Sequence, residues 1–202
     1  MLQANGDITQ MCGSISANYA VLKANQDISQ TAGSIVAVNT TTEAGGTTLS
    51  LASTTNKLQN VSVKAVYGSV TIVSANDAAG ALNVQTVDTV GGALTITNKA
   101  NGAKNIIEVN QNLKASGAIT ITHEEAAINV GQGATMEGAS VSLNAIADAV
   151  AINGGSIKAN SGNVSIDAAK DIALNSGNIT ANSGDVIMTA VEAVTMEAGS
   201  IR

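Results

Sequence analysis

The chain has 202 residues and an apolar fraction of 45%, enough to bury a sizeable core as one domain. It contains two Tyr but no Phe, Trp or Pro, so the core must be filled by Ile, Val, Leu, Met and Ala, aliphatic side chains suited to stacking one layer many times. The net charge is −6, and the nine basic residues (Lys23, Lys57, Lys64, Lys99, Lys104, Lys114, Lys158, Lys170, Arg202) are scattered along the sequence. That distribution excludes the clustered basic face that binds nucleic acid. No window approaches 18 consecutive apolar residues, so no membrane span is expected. Residues 1–5 lack the basic and apolar regions of a secretory signal.

Repeats organise the chain from its N-terminus. Leu2-Gln3-Ala4-Asn5-Gly6-Asp7-Ile8-Thr9-Gln10 returns as Leu22-Lys23-Ala24-Asn25-Gln26-Asp27-Ile28-Ser29-Gln30, and Gly13-Ser14-Ile15 as Gly33-Ser34-Ile35. In the C-terminal third the period is 22: Gly155-Ser156-Ile157-Lys158-Ala159-Asn160-Ser161-Gly162-Asn163-Val164 returns as Gly177-Asn178-Ile179-Thr180-Ala181-Asn182-Ser183-Gly184-Asp185-Val186. A further copy starts at Gly199-Ser200-Ile201.

One column runs through the whole chain: Ile8, Ile28, Leu49, Val70, Leu94, Ile119, Val141, Val164 and Val186, in steps of 20 to 25 residues. Its members open short alternating runs such as Val70-Thr71-Ile72 and Ile119-Thr120-Ile121, the period-2 pattern of a strand with one buried face. The next residue is Ser or Thr in every run but the last, where it is Ile187, which predicts an outward hydroxyl row. A second column is expected through Val61/Val63, Leu82/Val84, Ile107/Val109, Ile128/Val130, Val150/Ile152, Ile172/Leu174 and Val194/Met196, with Ile15 and Ile35 as its N-terminal members. A third is expected through Leu2, Leu22, Leu113, Met136, Ile157, Ile179 and Ile201.

Three short strands per turn, bent at Gly, Asn and Ser clusters, predict an all-β fold: a single-stranded parallel β-helix, or β-solenoid, of about nine triangular coils of about 22 residues. Right-handed coiling is the usual hand. Residues 1–202 read as one solenoid domain, uncapped at both ends. Asn5, Asn25, Asn160 and Asn182 are expected to stack as an amide ladder at equivalent corners.

No motif points to catalysis. His123 is the single histidine; with Glu124 and Glu125 it reads as a replaceable polar turn, because a zinc site takes three or four protein ligands. No Gly-x-Ser-x-Gly elbow is present. Asp7, Asp27, Asp167, Asp171 and Asp185 read mostly as turn caps beside Gly or Asn. Cys12, the one cysteine, excludes an intrachain disulfide and reads as a small buried or half-buried residue. Thr95-Ile96-Thr97 and Thr120-Ile121-Thr122 occupy two neighbouring coils, too few for an ice-binding array. Catalytic, cofactor and metal sites are therefore expected to be absent. The wide steps from Val70 to Leu94 and from Leu94 to Ile119 are where groove-forming loops would sit.

The segment Gly155-Ser156-Ile157-Lys158-Ala159-Asn160-Ser161-Gly162-Asn163-Val164-Ser165-Ile166 resembles the repeats of filamentous-haemagglutinin-type exoproteins, large bacterial surface adhesins. The chain is also similar, more distantly, to bactofilins, polymerising β-helices whose coils are shorter. The first resemblance implies an extracellular or cell-surface setting in a bacterium and a structural role. Because the repeat runs to Leu2 and to Ile201, the chain is expected to stack end to end, as a filament protomer or as a segment of a surface fibre. In that expectation Leu2 of one copy continues the coil directly above Ile201 of another. The assembling ends would comprise Leu2, Ile8 and Ile15 on one side and Val194, Met196 and Ile201 on the other. The expected partners are further copies or neighbouring repeats of a longer chain, with surface glycans as an additional class. The alternative is a monomeric carbohydrate-binding or carbohydrate-active β-helix.

Overall fold

Alternation of apolar and hydroxyl residues makes each first-column run a strand, and recurrence one coil later makes its neighbour parallel. The computed structural model describes residues 1–75, 80–89, 91–101 and 105–202. They form 22 strands and, among the described residues, no helix. The architecture is a parallel β-solenoid of nine coils. One strand per coil builds a nine-stranded sheet whose spatial order follows the sequence, and the rest of each coil contributes to a thirteen-stranded sheet. The loops expected in the two wide coils fall largely on residues 76–79 and 102–104, outside the described residues.

The first column is reproduced at every step. Ile8 pairs with Ile28, Ile28 with Leu49, Leu49 with Val70, and so on through Leu94, Ile119, Val141 and Val164 to Val186. Leu94, Ile96, Ile119 and Ile121 are fully buried, each stabilising the fold by about 1.5–3 kcal/mol through removal of its side chain from water. The hydroxyls of Thr9, Ser29, Ser50, Thr71, Thr95, Thr120, Ser142 and Ser165 form the expected neighbouring row, which ends at Ile187.

The second and third columns are drawn differently from the sequence reading. Val61 pairs with Val84 and Val63 with Val87, so the pair Val61/Val63 straddles two rows. The third row is continuous through Leu2, Leu22, Thr42, Val63, Val87, Leu113, Met136, Ile157, Ile179 and Ile201. The row that carries Val61 begins at Ala20 and Thr40, not at Ile15 and Ile35. Those two isoleucines pair with each other farther from the third row, and the Asn56 side chain takes over from Ile35 by accepting its N–H at 2.8 Å.

The cause is a corner that migrates along the rod. In the coils of Ala20, Thr40 and Val61, the second and third rows lie two residues apart on one flat strand. The separation becomes three between Val84 and Val87, four between Val109 and Leu113, six between Val130 and Met136, and five between Ile152 and Ile157. In the late coils that corner is held by glycine. Gly177 has φ +116° and Gly199 φ +109°, and a Cβ on either would lie 2.1 Å from the carbonyl oxygen of the glycine one coil earlier. A left-handed backbone in van der Waals contact with its own copy admits only Gly.

The outward row beside the third column alternates in charge. Lys23 lies opposite Glu43 and Glu43 opposite Lys64; Asp88 lies opposite Lys114, Lys114 opposite Glu137, and Glu137 opposite Lys158. The sign alternates from Lys23 to Lys64 and again from Asp88 to Lys158, on either side of a register shift between Val63 and Val66. Lys23 meets Glu43 at 3.0 Å and Lys158 meets Glu137 at 3.2 Å. Hydrogen bonds from Asn160 and Lys158 hold the Glu137 carboxyl below the usual range. Basic residues dispersed in sequence are thus partly aligned in space, each with acidic neighbours.

Two substitutions test the row assignment in opposite directions. Thr40 sits among apolar neighbours at 1% exposure, and its hydroxyl has no hydrogen-bond partner among the described residues. Thr40→Val keeps the shape, removes the orphaned group, and is expected to raise unfolding free energy by about 1 kcal/mol. Ile121→Asp buries an unpaired carboxylate and is expected to cost about 3 kcal/mol or more. Urea denaturation reads both; a destabilised Thr40→Val or a neutral Ile121→Asp would contradict these rows.

Candidate functional site

Inside the rod, polar side chains interrupt the apolar rows only between Gln30 and His123 among the described residues. Gln30 and Asn56 exchange amide hydrogen bonds, Gln30 Nε2 to Asn56 Oδ1 at 2.9 Å and Asn56 Nδ2 to Gln30 Oε1 at 2.7 Å. Ser74 Oγ accepts from Leu58 N–H at 3.0 Å and donates to Leu58 C=O at 3.1 Å, standing in for a neighbouring backbone.

Ser74, Asn98 and His123 succeed one another on a single inward position, continued by Ala145, Ala168 and Ala190. His123 therefore lies in the interior, fully buried at the end of the strand Ile119–His123, which corrects the expectation of a polar turn. Its Nε2 lies 2.5 Å from the Asn105 carbonyl oxygen, which can only accept, so Nε2 carries the proton. Asn98 Nδ2 donates to the same carbonyl at 3.0 Å. Nδ1 accepts the backbone N–H groups of Glu125 and Ala126, each at 3.1 Å. Protonating Nδ1 would set its hydrogen against two donors. Burial lowers the His123 pKa below its ordinary value, outweighing the opposing Asn105 hydrogen bond and nearby carboxylates. Glu124 turns outward to pair with Lys99 at 2.5 Å. The arrangement is a neutral, structural imidazole that organises a corner. Among the described residues no group of three or more His, Cys, Asp or Glu is placed to hold a metal ion.

The expected turn caps are present in part. Asp7 Oδ1 accepts Asp27 N–H at 3.0 Å; Asp27 Oδ1 accepts Thr47 and Thr48 N–H at 2.8 and 3.0 Å; Asp171 Oδ1 accepts Ala193 N–H at 3.1 Å. Asp167 instead lies within the strand Val164–Ala168 and accepts from Ser165 Oγ. At the corner of Asp185, Asn163 supplies the acceptor, Oδ1 taking Asp185 N–H at 2.9 Å. Amide stacking is strongest where the sequence reading did not place it, in Asn39–Asn60–Asn83 and Asn129–Asn153–Asn175, with steps of 2.6 to 3.1 Å. Asn182 reaches Asn160 at 3.5 Å, while Asn25 meets the earlier coil through its backbone N–H on Ala4 C=O.

At the two ends the apolar rows surface. Leu2, Ile8 and Ile15 rim a cavity of about 490 Å³ that reaches inward to Ile28 and Leu51. Cys12 stands on this rim and is exposed, correcting the buried or half-buried expectation. At the other end Val194, Met196 and Ile201 are 50%, 59% and 39% exposed, against 1% or less for their row mates Ile172, Leu174 and Ile179. Leu2 and Ile201 both belong to the third row, in the stretch that immediately precedes a first-row strand. The strands Leu2–Ala4 and Ser200–Ile201 therefore occupy the same step of the coil. Were Ile8–Gln10 of one copy laid on Val186–Ala190 of another, these two short strands would claim one place.

Comparison with protein-family models, curated proteins and solved structures finds no match for this chain.

The buried imidazole generates a pH prediction. A base whose folded pKa is lowered binds fewer protons folded than unfolded, so stability is complete above its unfolded pKa of about 6.5 and falls as pH drops below it. Since His123 is the single histidine, its ring resonances can be followed by NMR without ambiguity. They are expected to stay neutral below pH 6.5, and His123→Ala is expected to lose about 2 kcal/mol or more through stranded donors and an opened corner. A ring titrating at or above 6.5 would contradict the buried neutral state.

Proposed function

We propose that this chain is a non-enzymatic structural rod, extended at its ends by further solenoid coils, as a filament protomer or as a segment of a longer surface fibre. One observation carries the reading: apolar rows buried through the interior emerge on both terminal coils, exposed at Leu2, Val194, Met196 and Ile201 and half-buried at Ile8, with Ile15 half-buried beside them. A further coil would cover these side chains and pair the open backbone edges, as each coil does for the next. The flanks between the ends carry hydroxyl, amide and alternating charged rows, which stay soluble while leaving the ends to associate. An extracellular, bacterial cell-surface setting accords with this role and with the repeat resemblance.

Electron microscopy with light scattering on the purified chain tests the proposal. Stacking of copies is expected to give unbranched fibres with an axial repeat near 43 Å, nine coils at the usual spacing of parallel strands. Because Leu2–Ala4 and Ser200–Ile201 share one step of the coil, deleting residues 1–4 is expected to speed fibre growth without unfolding the rod. Adding Pro and Lys beside Ile201 is expected to abolish fibres, since both block strand addition at an edge. A monodisperse monomer at high concentration would rule out self-stacking and leave extension only by coils of the same polypeptide.

A further inference from the structure

We propose that a groove on the flank of the rod binds a neutral, polyhydroxylated ligand, a short stretch of uncharged glycan. The groove has a volume of about 510 Å³ and is lined by Val84 and six polar residues, Asn60, Asn83, Gln85, Thr86, Asn110 and Gln111, a size within the range of small-ligand sites. It arises where the corner migrates. One residue lies between Val61 and Val63, two between Val84 and Val87, and three between Val109 and Leu113. The added residues Gln85, Thr86, Asn110, Gln111 and Asn112 widen successive coils past the narrower coil of Asn60, so the flank steps outward and leaves a concavity. Register breaks between these coils, at Val61/Val63, mark the same place.

The chemistry of the lining selects the ligand class. No charged side chain lines the groove, which disfavours an anionic or cationic ligand. The floor is positioned: Asn60 Nδ2 donates to Val38 C=O at 3.0 Å, and Asn83 Nδ2 donates to Asn60 Oδ1 at 2.9 Å. Ser62 Oγ holds Gln85 Oε1 at 3.1 Å, fixing that amide, and Asn110 Nδ2 meets Glu108 Oε2 at 3.3 Å. Among the described residues no partner is found for Asn83 Oδ1, Gln85 Nε2, the Thr86 hydroxyl or the Gln111 amide. Acceptors and donors thus stand together in one concavity, and side-chain amides give and accept hydrogen bonds in pairs. Vicinal hydroxyls of a sugar offer the complementary pattern. With no aromatic ring in the lining, affinity rests on hydrogen bonds alone and is expected in the millimolar range. The groove lies away from both ends, so its role is separable from end-to-end extension.

NMR titration of the full chain with cellotetraose and maltotetraose, beside a heparin-derived tetrasaccharide, tests the assignment. A neutral probe is expected to shift the side-chain amide signals of Asn83, Gln85, Asn110 and Gln111 saturably. Gln85→Ala combined with Gln111→Ala is expected to weaken that binding about tenfold or more with the thermal transition unchanged. Thr86→Val, a second exposed change, is expected to weaken it severalfold. Absence of shifts with both neutral probes, shifts outside the groove, or binding indifferent to these variants would overturn the proposal. So would a response to the heparin fragment alone, centred on Lys23, Lys64, Lys114 and Lys158. Fibre formation read on the same samples separates failure of the groove from failure of the structural role.

Discussion

Parallel pairing of each strand with its own equivalent one coil later is the constraint from which the rest of the structure follows. The pairing places every residue on its counterpart about 22 positions on, at the strand spacing of roughly 4.8 Å. A side chain that faces inward does so in every coil, and whatever is tolerated once must be tolerated nine times. Aliphatic side chains fill such a column in coil after coil, and the core is mostly Ile, Val, Leu and Ala. Hydroxyls line up with hydroxyls, amides with amides, and glycines with glycines where backbones touch. The same constraint makes charges dangerous in an outward row, because like residues would repel. The stretches from Lys23 to Lys64 and from Asp88 to Lys158 resolve this by alternating sign, which makes cross-strand neighbours weakly attractive instead.

Interior polarity is concentrated between Gln30 and His123 among the described residues, a stretch that includes the long coils after Val70 and Leu94. Where one coil has a residue more than the next, a backbone N–H or C=O loses its partner, and a buried unpaired group is costly. Asn56 accepts the Ile35 N–H, Ser74 serves both backbone groups of Leu58, and His123 satisfies the turn at Glu125 and Ala126. After His123 the same inward position is Ala in three successive coils, and the C-terminal coils keep nearly constant length. A buried histidine in this setting substitutes for missing backbone pairing, and its perturbed basicity is a consequence of that duty.

How much of this was legible in the sequence depended on coil length. The first row was read correctly at all nine positions, because its strand is short, strictly alternating and bounded by turns. The second and third rows were confused at Val61 and Val63. An i, i+2 pair looks the same whether it spans one row or bridges two, and the corner that distinguishes them shifts by only one or two residues from coil to coil. The third row was lost between Leu22 and Leu113 because Thr42 breaks its apolar character and Val87 stands three residues from Val84. His123 was read from the acidic pair that follows it, yet the alternation Ile119, Ile121, His123 already placed its side chain inward. The flank groove had a faint signal in the wide coils, but its lining amides gained meaning only once stacking set Asn60 on Asn83 and brought Asn110 into the same concavity.

The proposed function likewise depends on register, since the apolar rows that reach the terminal coils and the stepped flank exist only if these rows are the true ones. Pairwise cysteine cross-linking in a Cys12→Ser background measures register directly. Thr120 and Ser142 are outward partners in adjacent coils, whereas Asn144 is the partner of Thr122. Thr120→Cys with Ser142→Cys places the two Cα atoms within the 4.4–6.8 Å span of a disulfide, while Thr120→Cys with Asn144→Cys places them about 8 Å apart, beyond it. Rapid intramolecular oxidation of the first pair with none of the second is the predicted result. Equal oxidation of both, or preference for the second, would contradict the stacking on which the structure and its proposed role rest.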